Sequence, residues 1–87
     1  MHELTLVADL MRKIESIAAA ESAPRVVAVN VKLGALAHIS PEHFRDHFTR
    51  AARGTVAQDA RLSVELSEDA RDPHAQEILL DSVTVGE

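Results

Sequence analysis

The chain contains no cysteine, tryptophan or tyrosine, and Phe44 and Phe48 are its only large aromatics. Without cysteine there is no disulfide to staple the fold and no thiolate to hold a metal. The core must therefore be aliphatic, and with 46% apolar residues in 87 the material for one exists. Basic charge is also scarce. Nine Lys and Arg face fourteen Asp and Glu, a net charge of -5 that argues against nucleic acid or an anionic membrane as partner. No apolar run is long enough for a membrane span. Asp9, Arg12 and Lys13 interrupt the N-terminal apolar stretch, so a signal peptide is not expected there. No glycine-rich phosphate loop, cysteine nucleophile or Gly-x-Ser-x-Gly elbow is present, so an enzyme is not expected. These absences leave a single small cytoplasmic domain spanning 1–87.

What is present begins at once. Leu4, Val7, Leu10, Met11, Ile14, Ile17 and Ala18 recur at three- and four-residue steps, which predicts an amphipathic helix over 3–21. Pro24 ends it. Residues 25–36 then alternate, with Val27, Val29, Val31 and Leu33 on one face of a strand that stops near Gly34. Ser40 as N-cap, Pro41 at the first helical position and Glu42 in the first turn open a second helix. Phe44, Phe48, Ala51 and Ala52 form its buried stripe, and Gly54 terminates it.

Leu62, Val64 and Leu66 alternate inward over 61–67. The stretch SEDARDPHAQ, 67–76, reads as a polar connection. In the last strand, 77–85, Ile78 and Leu80 share one parity and Val83 and Val85 the other. One extra residue near Asp81 or Ser82 restores a common face, which predicts a β-bulge. The order αβαββ describes an α+β domain with two helices on one face of a three-stranded mixed sheet. The strands 61–67 and 77–85 are expected to be antiparallel neighbours joined by 67–76.

The opening, MHELTL, carries the chemistry. A terminal amine, the His2 amide nitrogen and the His2 imidazole close fused chelate rings around one metal, and the Glu3 amide can complete a nitrogen plane suited to Ni(II) or Cu(II). The first N–H groups of a helix lack intrahelical acceptors, so recruiting them breaks no ladder bond. The positive end of the helix dipole opposes a cation there, and the Glu3 carboxylate offsets it. The plainer reading is that Glu3 complements the dipole and His2 is an exposed histidine.

His43 and His47 stand one helical turn apart beside the phenylalanine stripe and read as solvated or boundary residues without a third ligand. His38 lies in the turn before Ser40. Ordinary turn chemistry is its simplest role, a partner surface or an extra metal ligand the others. His74 in the 67–76 connection reads as polar filler, with a metal contact the alternative.

The joint order of MHELTL, VVAVNVKLGALAHISPEHFRDHF, ARGTVAQDARLSVEL and ILLDSVTV resembles the HypA/HybF family of nickel-insertion accessory proteins for nickel–iron hydrogenase maturation. The resemblance implies that Met1, His2 and Glu3 form a transient Ni(II) site. The implied partners are the maturation GTPase and the hydrogenase large-subunit precursor. It also exposes a departure. Members of that family carry a zinc module on two Cys-x-x-Cys pairs between their last two strands, where this chain has only 67–76. No structural zinc is expected, and two readings follow: a minimal nickel metallochaperone, or an adaptor that docks on the same partners without carrying metal.

Overall fold

The computed structural model describes residues 3–86, and within them the expected element order stands. Helix α1 covers Glu3–Ala20, strand β1 Arg25–Leu33, helix α2 Pro41–Ala52, strand β2 Arg61–Leu66 and strand β3 Ile78–Gly86. The helix α1 stops without glycine. Ser22 takes a left-handed φ of 51°, its N–H donates to the Ala19 carbonyl and that of Ala23 to Ala18. This is the Schellman arrangement, with serine where glycine is usual. At α2, the Ser40 hydroxyl accepts from the His43 N–H at 3.1 Å and Pro41 follows it, the start read from the sequence.

The sheet departs from expectation in one respect. Its order is β2-β1-β3, so β2 and β3 are the two edges and never meet. The strand β1 is central, parallel to β2 and antiparallel to β3. The reason is the crossover: a strand, a twelve-residue helix and a strand form a βαβ unit, which places β2 parallel beside β1. The free edge of β1 then accepts β3. Instead of closing a hairpin, 67–76 crosses from one sheet edge to the other over the end of β1.

The bulge in β3 is where the phase slip put it. Asn30 pairs with Ser82 and Val31 with Leu80, so Asp81 is the extra residue. The Asn30 side-chain amide donates to the Ser82 hydroxyl at 2.6 Å beside it. A second irregularity lies in β1, where Val26 pairs with Val85 and Ala28 with Thr84. That extra residue turns Val27 outward and brings Val26 into the core, correcting the expected alternation at this one position.

Packing of α1 over β3 and α2 over β2, with the helices touching each other, covers one face of the sheet. Val7, Leu10, Met11, Ile14, Val29, Val31, Leu33 and Phe44 form its centre. The Phe44 and Phe48 rings are 6.0 Å apart at 37°, a tilted contact of the kind aromatic pairs favour. The buried stripes are narrower than expected. Ala51 is exposed because 44, 48 and 52 follow one line of four-residue steps and 51 falls to its side. Ile17 faces a groove along the β3 edge rather than the core, and Leu66, at the end of edge strand β2, is 51% exposed.

Candidate metal centre

Both helices run against β1. The connection from Ala20 to Arg25 returns the chain along the sheet, while α2 leads from the end of β1 back to Arg61, which pairs level with Ala28. The starts of α1 and α2 therefore lie at the same end of the domain as the C-terminal end of β1. β3 begins there too, since Ile78 pairs with Leu33. Among the described residues, three segments bearing histidine lie at this rim: the turn after β1, the first turns of α2, and the crossing loop.

Of the expected ligands, Met1 and His2 lie outside the described residues, and Glu3 is the first residue of α1. Just beyond them a cleft opens between Leu6, Asp9 and Leu10 of α1, the turn holding His38, and Glu77. His38 is exposed on that wall with a left-handed φ of 56°. The acidic groups of the cleft are already engaged, Asp9 with Arg12 and Glu77 with His74. His74 Nδ1 and Glu77 Oε2 lie 2.5 Å apart, and this hydrogen bond, with the carboxylate charge behind it, raises the His74 pKa above its ordinary 6.5. So His74 is more than filler; its ring is hydrogen-bonded to Glu77.

His43 and His47 lie with ring centroids 6.4 Å apart and planes within 3°, a parallel stack on α2. Among the described residues no three His, Asp or Glu stand together as a metal site.

Two features were missed from the sequence. Residues 74–77 form a braced strap: Gly34 donates its N–H to the Glu77 carbonyl at 2.9 Å and Leu36 to that of Ala75 at 2.7 Å. Ala75, within the strap, is buried. The signal was Gly34 itself, since a glycine ending a strand often marks close backbone approach. The Asp9–Arg12 pair was legible as an i,i+3 spacing and went unread.

A model of the family described as "Hydrogenase/urease nickel incorporation, metallochaperone, hypA" matches residues 1–71. The chain belongs to the HypA family. Its relatives include the hydrogenase maturation factor HypA of Methylocella silvestris, 35% identical over 66 residues that cover 76% of this chain and 58% of that protein. That of Rhodopseudomonas palustris is 41% identical over 64 residues, covering 74% and 57%. The matched part of the chain thus spans less than three-fifths of each of these HypA proteins. In solution, the nickel metallochaperone HypA of Helicobacter pylori has the same fold, with a TM-score of 0.78 at 20% identity over 98% of this chain and 97% of that one. The HypA family match ends at Arg71, inside the crossing loop, whereas the structural likeness continues through β3.

Proposed function

We propose that this HypA-family protein carries nickel for hydrogenase maturation, holding Ni(II) transiently through the Met1 amine, the His2 amide and imidazole, and the Glu3 amide. The observation that carries the reading is the family match beginning at residue 1, and so including all three residues. The start of α1 at Glu3 supports it, because N–H groups in the first turn have no helical acceptor and are free to become ligands. The open rim supports transfer: a shallow chelate releases its cargo to a partner more readily than a closed cage. By the Irving–Williams order copper binds such a nitrogen set more tightly, so nickel delivery depends on partners and supply.

The partners in this reading are the maturation GTPase and the hydrogenase large-subunit precursor, met in the cytoplasm. No helix among the described residues is long and apolar enough to cross a membrane. The protein acts as a carrier, not a catalyst. Zinc plays no structural part, since no thiolate is available and 67–76 stands where the family's zinc module would be. That same cysteine-free link favours a second reading, an adaptor that docks without metal.

Nickel titration of the untagged protein separates the two. His2→Ala, and a variant with one residue added before Met1, should each lose nickel binding, because imidazole and free amine are both ligands. Binding should weaken on acidification as these donors take up protons. If the extended protein binds nickel as well as the native one, the terminal chelate is wrong; if the native protein binds no nickel, the adaptor reading takes its place.

A further inference from the structure

We propose that His43 and His47 together bind a divalent transition-metal ion on α2, at a site independent of the terminal chelate. The structure brings the two rings together: their centroids are 6.4 Å apart and their planes within 3°, on adjacent turns of one helix. Histidines four residues apart leave a helix on the same face. In that arrangement two imidazoles can share one metal, as they do on zinc in helical His-x-x-x-His motifs.

The helix holds the pair in place. The Ser40 hydroxyl and Pro41 fix its first turn, and Phe44 and Phe48, each next in sequence to one of the histidines, are buried. Those two anchors set the rotation of α2, and with it the row of histidines. Arg45, on the opposite flank, reaches the Leu62 carbonyl of β2 at 2.9 Å, so the histidines face away from β2. His47 is half-buried with its Nδ1 enclosed, which makes Nε2 its nitrogen for a metal. His43 is exposed, and rotation about its side-chain bonds brings a ring nitrogen to the same ion. An imidazole nitrogen sits about 2.0–2.1 Å from its metal, so a shared ion draws the rings together.

The donors define the ligand class. Imidazole suits Cu(II), Ni(II) and Zn(II), whereas Mg(II) and Ca(II) take oxygen. The positive end of the α2 dipole opposes a cation here, and Glu42 in the first turn works the other way, as does a net charge of -5. No third His, Asp or Glu among the described residues completes the set, so water fills the remaining positions. A site half made of water exchanges its ion readily, which suits capture and release more than storage.

The test uses the whole chain carrying His2→Ala, which removes the terminal imidazole, with His43→Gln, His47→Gln or His38→Gln added. Each protein is titrated with Cu(II) and, separately, Ni(II) by calorimetry, then followed by thermal melting and by proton NMR of the histidine rings. The His2→Ala parent should bind Cu(II) at one site, more tightly than Ni(II). At substoichiometric Cu(II), the His43 and His47 rings should broaden together, ahead of those of His38 and His74. His43→Gln and His47→Gln should each weaken binding about tenfold or more, the scale on which even outer partners of a metal site act. Each should also abolish the rise in melting temperature that Cu(II) gives the parent. His38→Gln should behave as the parent does. Because His43 is exposed, the metal-free melting temperature of His43→Gln should equal the parent's, which separates lost binding from lost folding. Parent-like affinity in His43→Gln, or broadening centred on another histidine, overturns the site. The terminal chelate is read separately, from the difference between native and His2→Ala proteins, so either site can fail without the other.

Discussion

Gly34 and Ala75 press backbone against backbone: a Cβ on Gly34 would overlap the Ala75 carbonyl. The clash is with main chain on a buried strap, not with the tip of a flexible side chain. Gly34→Ala should therefore force the strap off the end of β1 and destabilise the fold by about 1–3 kcal/mol or more, the range for overpacking a filled site. Urea denaturation reads this as a lower midpoint. A midpoint equal to native would show that the strap yields freely.

Ser22 is a serine in a glycine's place. Its φ of 51° closes the C-terminus of α1, and a side chain there costs on the order of 1 kcal/mol relative to glycine. Ser22→Gly should raise the melting temperature by a few degrees, with nickel binding unaffected because the proposed chelate is at the other end of the helix. A fall in melting temperature would mean that the serine side chain contributes more than the backbone strain removes.

The His74–Glu77 pair gives a pH signature. The folded-state pKa of His74 is raised, chiefly by its hydrogen bond to Glu77 and then by that carboxylate's charge. The pair's contribution is therefore complete below the ordinary histidine value of 6.5 and fades as pH rises through the raised one. Proton NMR titration of the His74 ring should give a midpoint above 6.5 that falls back toward it in Glu77→Gln. An unchanged midpoint in the variant would remove Glu77 as the cause.

Zinc dependence offers a fourth check. With no cysteine in the chain, a strong chelator should leave the melting temperature within a degree or so of native. A large drop would reveal a structural metal held by other donors.

The sequence was most readable where one residue's chemistry decides a local outcome. Ser40 and Pro41 marked the start of α2, and the switch of parity between Leu80 and Val83 located the bulge at Asp81. Strand neighbours were less readable, because alternation tells which face a residue takes but not which strand lies beside it. A cue was nonetheless present: β1 followed by α2 and β2 has the spacing of a parallel crossover, which leaves only the far edge of β1 for β3. Val27 was misassigned because no neighbour in sequence marks the irregularity, which arises only from pairing Val26 with Val85 and Ala28 with Thr84. Of the candidate site, Met1 and His2 lie outside the described residues, and Glu3 opens α1. That His38, the strap and the start of α1 share one rim follows from topology alone.

The path of the crossing loop also says where this fold tolerates growth. Ser67 donates its N–H to the Leu33 carbonyl at 2.8 Å, and Glu77 accepts from Gly34 at 2.9 Å, so both ends of the loop are clamped to the tip of β1. Between the clamps, Glu68 to Arg71 are exposed. Because lengthening a loop between fixed ends adds little entropic cost, a whole module grafted between Glu68 and Asp72 would leave the sheet untouched. It would stand astride the histidine-bearing rim. The same graft at 74–77 would dislodge the strap. Length can thus be gained or lost at this one bridge by cassette exchange, with the histidine-bearing rim always its nearest neighbour.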